Sequence, residues 1–363
     1  MCRFLLSVIL LISIPGYSQS DTTVAKKEKK VGWAAVPSPS YNQVQGWGIT
    51  VVGGVFYQLS QKDTISNPSS TFVYGTFAEN GTWIGAFLQE GYFAQNKWWY
   101  DILAVKGDFR FRYYHTIGSK ELQIDYATDI TIVKGNFLRK INNGFYGGLH
   151  YKYSRFNTVF NLGNLPNGIE LPQYSTTAQY AGIGFKAAFD NRDYTLNPKT
   201  GMFADITTTQ FRKWLGSDSD FDLIEINFNH YHPINKKQVL ASRFYGFFGI
   251  GDVPFEEQAI LGFAGPRGND VRGYSSGRYR GENLIDIQGE WRYNFYKKWG
   301  MVAFGSLSLV GNDGDDIKSN GLLPAIGTGL RYMASVDKKV NVGLDVAAGK
   351  DDYGVYFIIS EAF

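Results

Sequence analysis

The sequence predicts an all-β fold, a transmembrane antiparallel β-barrel of 16 strands, with 14 strands as the second choice. Aromatic residues and glycine are abundant, with 24 Tyr, 27 Phe, 8 Trp and 42 Gly among 363 residues. Many segments of about ten residues alternate between polar and apolar side chains, as membrane strands do. No apolar run after residue 20 reaches the roughly 18 residues that a membrane helix requires. A closed sheet is then the remaining way to satisfy backbone groups in lipid.

The first residues have the order of a cleaved secretory signal peptide, which we place at residues 1–19. A short basic start is followed by an apolar run from Phe4 to Ile14, and Pro15-Gly16 ends that run. We expect residues 20–45 to form a periplasmic N-terminal tail. The single cysteine, Cys2, would leave with the signal, so the exported chain would hold no disulfide of its own and no thiolate metal site.

The clearest strand lies between residues 284 and 295. Its odd positions are mainly apolar or aromatic, whereas most of its even positions carry Asp, Gln, Glu, Arg or Asn. Residues 221–231 and 340–347 repeat the pattern. A soluble two-sheet sandwich would also alternate. Charged side chains on one face of nearly every strand, with aromatic side chains on the other, favour a barrel with a polar lumen and a lipid-facing exterior.

The barrel is expected to span residues 46–363. Ten strand candidates precede a long loop at Asp252–Asn283, and five follow it, but barrels of this kind have even strand numbers. We therefore expect one more strand between Trp98 and Ile141, where two short segments resemble turns. The last strand is expected to end on Phe363 with Phe357 and Ile359 on the same face. That arrangement is typical of the C-terminal signal of outer-membrane barrels.

Several segments, in order along residues 37–363, carry motifs of one barrel family. A turn motif consists of Asp190, Arg192, Asp193, Pro198 and Gly201. A loop motif consists of Val271, Arg272, Gly273 and Tyr274. The accompanying segments are Pro37-Ser38-Pro39, Gly251–Phe255, Gly277–Arg280, Glu290-Trp291-Arg292, Gly327–Arg331, Leu344-Asp345 and Glu361-Ala362-Phe363. Together they resemble the BamA/TamA family of outer-membrane barrels, also called the bacterial surface antigen superfamily.

The resemblance implies that the extracellular loop folds into the lumen and that its arginine meets a carboxylate on the wall. Glu290 lies on the inward face of the next strand, so Arg272 and Glu290 are a candidate salt bridge; the alternative is an ordinary exposed charge. Family members often add an aspartate one strand later, where this chain has Phe304-Gly305-Ser306. A second acidic partner would then be Asp286 or Asp345, or would be absent.

The turn motif allows two interpretations. Its residues could shape the periplasmic rim of the barrel, or Asp190 and Asp193 could cap a turn and pair with Arg192.

The resemblance also implies a role in inserting proteins into the outer membrane or translocating them across it. The first and last strands, expected at Gly46–Tyr57 and Gly354–Phe363, would form a weak seam that pairs with an incoming strand. Assembly members carry periplasmic POTRA modules, which these residues do not encode. We therefore expect a barrel-only or accessory component, and the alternative is a passive small-solute channel or a structural outer-membrane subunit.

Outer-membrane lipids are the expected surroundings, and nascent outer-membrane proteins or other assembly subunits are the candidate partners. A formal charge of +3 is too small to suggest nucleic acid. The sequence predicts no catalytic residues, so the protein is not expected to be an enzyme. It also predicts no cofactor and no metal site.

Overall fold

The protein is described by a computed structural model that covers residues 32–60, 62–117, 120–161, 174–195, 197–263, 271–336, 339–359 and 361–363. Within these residues sixteen antiparallel strands close into one barrel, as predicted. In the same residues no helix has the length and apolar character needed to cross a membrane. The proposed signal peptide and residues 20–31 of the proposed tail lie outside the described residues.

Strands β1–β11 span Gly32–Asn42, Gly46–Tyr57, Ser69–Ala78, Trp83–Phe93, Trp98–Ile117, Lys120–Asn142, Phe145–Asn161, Tyr174–Asp190, Gly201–Phe211, Phe221–Asn235 and Gln238–Ile250. The next two, β12 (Ala259–Ile260) and β13 (Arg280–Gly281), pair with each other inside the long loop. Strands β14–β18 span Asn283–Tyr296, Trp299–Gly311, Leu323–Ser335, Val340–Gly349 and Asp352–Ile359. Helix α1 is Gly314–Asn320, and single 3-10 turns lie at Lys213–Leu215 and Phe255–Glu257.

The sixteenth strand is β1, and it occupies part of the segment expected to be a tail. It pairs with β2 along its whole length, from Gly32 opposite Phe56 to Asn42 opposite Gly46. Pro37 and Pro39 lie within β1, although proline cannot donate a ladder hydrogen bond. Both prolines have the same parity, and the ladder to β2 continues through them. Proline is tolerated in a strand whose missing donors lie on an unpaired edge.

The expected extra strand between Trp98 and Ile141 is wrong. In that region β5 and β6 form one long hairpin, from Trp98 opposite Arg139 to Ile117 opposite Lys120. Its glycines suggested turns, but Gly107 lies inside β5, where an added Cβ would come 2.5 Å from the carbonyl oxygen of Trp83. Glycine there permits close approach of a neighbouring backbone rather than a change of direction.

The last strand also ends earlier than expected. β18 stops at Ile359, and residues 361–363 are not part of a strand. Phe363 instead packs against Tyr231, Val239 and Ala241, and its carbonyl oxygen accepts a hydrogen bond from Arg292 at 2.8 Å. Those partners are on the lumen faces of β10, β11 and β14. The chain therefore turns inward after Ile359 because apolar and cationic groups in the lumen bind its final residues.

The long loop connects β11 to β14 at one end of the barrel, which we call the loop end. The opposite end, where β18 stops, is the turn end. Loop residues Leu261, Val271 and Tyr274 are almost fully buried and pack against wall residues of β14–β16, including Leu284, Val310 and Leu323. The largest apolar cluster is therefore inside the lumen, whereas side chains such as Ile183 and Phe185 on the outer face are exposed.

Candidate functional site

The loop motif enters the lumen through a backbone conformation that favours glycine. Gly273 has a φ of +107°, and a Cβ at that position would meet the backbone of Ala348 at 2.9 Å. Any L side chain would be strained there and would clash with β17. Glycine at this position thus lets the loop lie directly on the barrel wall, and it brings the neighbouring Arg272 to the carboxylates of β14 and β17.

Arg272 is buried between two carboxylates. Its Nη2 donates to Oε2 of Glu290 at 2.6 Å, and its Nη1 donates to Oδ2 of Asp345. Both carboxylate side chains are 0% exposed. The face of the guanidinium lies 3.4 Å from the ring centroid of Phe304. The structure therefore brings the two residues of the candidate salt bridge together and places them in a site shielded from water.

Two further arginines extend this ion-paired network. Arg292 donates to Oε1 of Glu290 at 2.8 Å. Arg331 donates to Oδ1 of Asp345 and, at 3.0 Å, to Oε2 of Glu361. We call Arg272, Glu290, Arg292, Arg331, Asp345 and Glu361 the arginine network. It contains three guanidiniums and three carboxylates, so its formal charge is balanced, as buried charges require.

Glycines in β16 and β17 make room for these side chains. A Cβ at Gly329 would overlap Oδ1 of Asp345, and a Cβ at Gly343 would meet the side chain of Arg331. The segment Gly327–Arg331 thus supplies both an arginine and the space that its partner needs. The need for glycine at these positions depends on which residue of the neighbouring strand lies opposite, so it cannot be read from the sequence of either strand alone.

Gly273 and Tyr274 of the loop motif and the following Ser275 attach to β16 and β18. The Gly273 amide donates to the Tyr356 hydroxyl at 2.9 Å, and the Ser275 amide donates to Asp352 at 2.6 Å. The Tyr274 hydroxyl donates to the carbonyl oxygen of Pro324 at 2.6 Å. The loop motif is consequently bonded to β16 and to β18, the strand that meets β1.

Of the two candidates for a second acidic partner, the structure places Asp345 beside Arg272. Asp286 instead accepts hydrogen bonds from Ser308 at 2.7 Å and from Gln288 at 2.7 Å. The strand with the missing aspartate contributes the ring of Phe304 to the site. Arg292 and Arg331 were within the sequence motifs, but their contacts were not predicted. Arg292 binds Glu290 of its own strand and also Phe363 beyond β18, whereas the partners of Arg331 lie on β17 and beyond β18.

The turn motif lies at the turn end of the barrel. Arg192 binds the Asp190 carboxylate through Nε at 2.9 Å and Nη2 at 2.7 Å. Burial lowers the pKa of Arg192, but the hydrogen bonds and charge of Asp190 outweigh it and raise that pKa above its ordinary value. Asp193 accepts the Lys199 and Thr200 amides. Pro198 offers its carbonyl oxygen to Arg292 at 3.4 Å.

This geometry favours the capping interpretation and adds a link from the turn to the lumen. Gly201 ends the turn with a φ of +95°, where a Cβ would meet the carbonyl oxygen of Asn191 at 2.5 Å. Through Arg292, which binds Glu290, Pro198 and Phe363, the turn motif and the arginine network form one connected set of polar contacts.

The barrel is similar to three solved structures of known proteins. BamA from Haemophilus ducreyi lacking POTRA domains 1–3 has 13% identity and a TM-score of 0.58, over 90% of this chain and 70% of that chain. CdiB from Acinetobacter baumannii has 13% identity and a TM-score of 0.61, over 91% and 60%. CdiB from Escherichia coli has 12% identity and a TM-score of 0.59, over 92% and 64%. At such identities the likeness concerns the fold.

The chain spans less than two thirds of the two CdiB chains, and no curated protein matches its sequence. Its described residues form the barrel with its loops and turns, and no POTRA module is among them. Residues 92–304, more than half of the sequence, match the Omp85 superfamily domain. The resemblance to BamA-like barrels is thereby confirmed: the chain belongs to the Omp85 superfamily, whose barrels lie in the bacterial outer membrane.

Proposed function

We propose that this protein is a barrel component of outer-membrane protein assembly or translocation, and that it acts through a seam between β1 and β18. The observation that carries the proposal is the short pairing of these strands. In the described residues they share only two register pairs, Tyr41 with Val355 and Asn42 with Gly354. By comparison, β17 and β18 share eight, and β1 and β2 share eleven.

Both seam pairs lie at the loop end. Toward the turn end, no register pair of the described residues joins residues 32–40 of β1 to residues 356–359 of β18. Unpaired strand edges are templates for a further strand, which can add its own backbone hydrogen bonds. The seam therefore offers two free edges to an incoming strand, and in this proposal its two remaining pairs at the loop end must separate for that strand to insert along the whole edge.

The loop motif would hold one side of this seam in place. The Gly273 amide binds Tyr356 and the adjacent Ser275 amide binds Asp352, and these bonds fix the inward face of β18. Arg331 and Arg292 bind the residues that turn inward after Ile359. In this proposal the arginine network keeps β18 curled away from β1, and it thus preserves the open edge. Orientation follows the sequence expectation, with the loop end extracellular and the turn end periplasmic.

A passive channel for small solutes is the alternative. It requires an open path through the lumen. The cluster of Leu261, Val271 and Tyr274 with the wall, together with the arginine network beneath it, counts against such a path. These contacts favour assembly or translocation over passive diffusion.

The seam can be tested with an engineered disulfide. Tyr41→Cys with Val355→Cys would cross-link β1 to β18, and Val346→Cys with Val355→Cys would cross-link the well-paired β17 and β18 as a matched control. Each variant is purified, reconstituted in liposomes and given an unfolded outer-membrane protein, in oxidised and reduced forms. We expect oxidation to abolish folding of the substrate by the seam variant and to leave the control unchanged.

Equal activity of the oxidised and reduced seam variant would contradict the proposal. If neither form supports substrate folding but both pass small solutes, the channel alternative is favoured.

A further inference from the structure

A cavity of about 200 Å³ remains in the lumen on the side away from the arginine network. It lies between the loop and the walls formed by β5–β7, β10 and β11. Its walls are rich in aromatic and aliphatic side chains, including Phe109, Phe111, Tyr126, Phe156, Phe247 and Phe255. A cavity with apolar walls and a few polar groups is the usual form of a small-molecule site.

The distinctive polar group of this cavity is Arg280, from the loop strand β13. Arg280 is only 7% exposed. Its Nη1 donates to the Tyr126 hydroxyl at 2.8 Å, and its guanidinium lies 3.6 Å from the Phe255 ring centroid. Its Nε is buried without a hydrogen-bond partner, and no carboxylate pairs with it among the described residues. A buried cation without a directly paired anion is costly, so an anionic group in contact with Arg280 would be stabilised.

The acids that line the cavity are already engaged elsewhere. Glu257 accepts hydrogen bonds from Lys152 and Ser154, and Glu256 accepts one from Tyr180 at 3.3 Å. Glu225 accepts one from Tyr245 at 3.5 Å. Three lining carboxylates (Glu225, Glu256 and Glu257) face three lining cations (Lys134, Lys152 and Arg280), so a polyanion would bring charges that no lining group matches, and charges interact strongly in a site shielded from water. The single vacancy beside Arg280 therefore suits one monoanionic group attached to an apolar body.

We propose that this cavity binds a monocarboxylate with an apolar chain, a fatty-acid-like amphiphile. Its carboxylate accepts hydrogen bonds from Arg280, and its chain lies among the aromatic side chains of β5–β7. This site is separate from the seam, and its occupation does not depend on an assembly function. Since Arg280 and Phe255 belong to the loop and the other walls belong to the barrel, the bound molecule fastens the loop to the wall.

Decanoate is a suitable probe, with the full-length protein in phosphatidylcholine nanodiscs. We expect decanoate to raise the thermal unfolding temperature saturably, and 1-decanol and inorganic phosphate to have no such effect. In Arg280→Met the apparent affinity should fall by about tenfold or more, since a charge-assisted contact is lost. Arg278→Met is the matched control, because Arg278 is in the same loop but donates to the carbonyl oxygen of Asp351.

A second variant leaves Arg280 intact and fills the cavity. Ile132 lines it, and Ile132→Trp should abolish the decanoate effect even if Arg280→Met proves difficult to fold. The proposal is overturned if decanoate has no saturable effect on the wild type, or if it acts equally on Arg280→Met, as partitioning into lipid would. An equal effect of 1-decanol excludes the carboxylate contact, and an effect of inorganic phosphate alone excludes the amphiphile.

Discussion

Two arginines of one loop, eight residues apart, have opposite surroundings in the lumen. Arg272 lies between two carboxylates on β14 and β17, and its neighbours form a balanced network. Arg280 lies against a tyrosine hydroxyl and a phenylalanine ring, with no carboxylate among its described contacts. Both are less than 10% exposed. Burial alone therefore does not distinguish a structural arginine from a candidate ligand-binding arginine; the distinction lies in whether its charge is matched.

The difference also divides the lumen into two halves. The β14–β18 half holds the loop by charge and hydrogen bonds, next to the seam. The β5–β11 half meets the loop mainly through aromatic contacts and contains the cavity. The Nε atoms of Arg272 and Arg280 are both buried without a hydrogen-bond partner, so the carboxylates make the difference. A guanidinium bound by two carboxylates is fixed in geometry, whereas a cation held only by a hydroxyl and aromatic rings keeps a preference for an anion. Four substitutions, from the largest expected effect to the smallest, test this contrast.

Arg272→Met should cause the largest loss of stability. It leaves three carboxylates facing Arg292 and Arg331, and breaking a buried pair in this way costs about 3–5 kcal/mol. The temperature at which the compact band converts to the unfolded band on gels should fall. Lys318→Met, at an 81% exposed side chain, is the control. Adding Glu290→Gln to Arg272→Met should recover part of the lost stability. An unchanged conversion temperature for Arg272→Met alone would mean that the arginine network does not hold the loop.

Glu257→Gln should have the second largest effect. Glu257 attaches the loop to β7 through Lys152 and Ser154, and its side chain is 1% exposed. Removing its charge leaves Lys152 without its carboxylate, at a cost of about 1–3 kcal/mol. The adjacent Glu256→Gln is the matched control, since Glu256 has one hydrogen bond at 3.3 Å. Equal denaturant midpoints for the two variants would show that the Glu257–Lys152 ion pair does not stabilise the contact between the loop and the β5–β11 half of the lumen.

Arg280→Met should leave the stability of the unliganded barrel unchanged or raise it by about 1 kcal/mol, because it removes a buried charge that lacks a partner. The lost contact with the Phe255 ring offsets part of this gain. The same gel assay checks the result. A loss of stability as large as that of Arg272→Met would contradict the contrast between the two arginines, since it would mean that an anion pairs with Arg280 in the unliganded protein.

Asp63→Asn should have the smallest effect, and it shows what a carboxylate contributes outside the lumen. Hydrogen bonds from the amides of Gln95 and Ser66 and from the Ser66 hydroxyl lower the pKa of Asp63. Its stabilising contribution is therefore complete above the ordinary carboxyl pKa, roughly 4, and is lost as the pH falls through the lowered folded value.

We expect faster hydrogen exchange of the Gln95 and Ser66 amides in Asp63→Asn, after correction for intrinsic rates, and no change in the unfolding temperature of the barrel. A large fall in that temperature would mean that this turn contributes to global stability as the lumen does.

Alternation along each strand was enough to predict the barrel and the inward position of Glu290, because the face of a strand residue depends only on its parity. The number sixteen required a further rule, that such barrels have even strand numbers, since alternation gave fifteen candidates. The first strand was not predicted; its segment was expected to be a tail. Pro37 and Pro39 cannot donate ladder hydrogen bonds, so a strand at this place requires an edge that needs no donors from them. Whether an edge is paired depends on the last strand, more than 300 residues away, and no local pattern contains that information.

The sequence by itself determined the class of fold, the superfamily motifs and the arginine that enters the lumen. Only the tertiary structure decided that Asp345 rather than Asp286 joins Arg272, that Glu361 turns inward to Arg331, and that Arg280 meets no carboxylate among the described residues. These outcomes depend on which strands are neighbours and in what register, and on the space that Gly329 and Gly343 leave between them. The ion pairs in the lumen join residues of several strands. Alternation along one strand therefore predicts that a charged residue faces inward, but it does not predict which residue pairs with it.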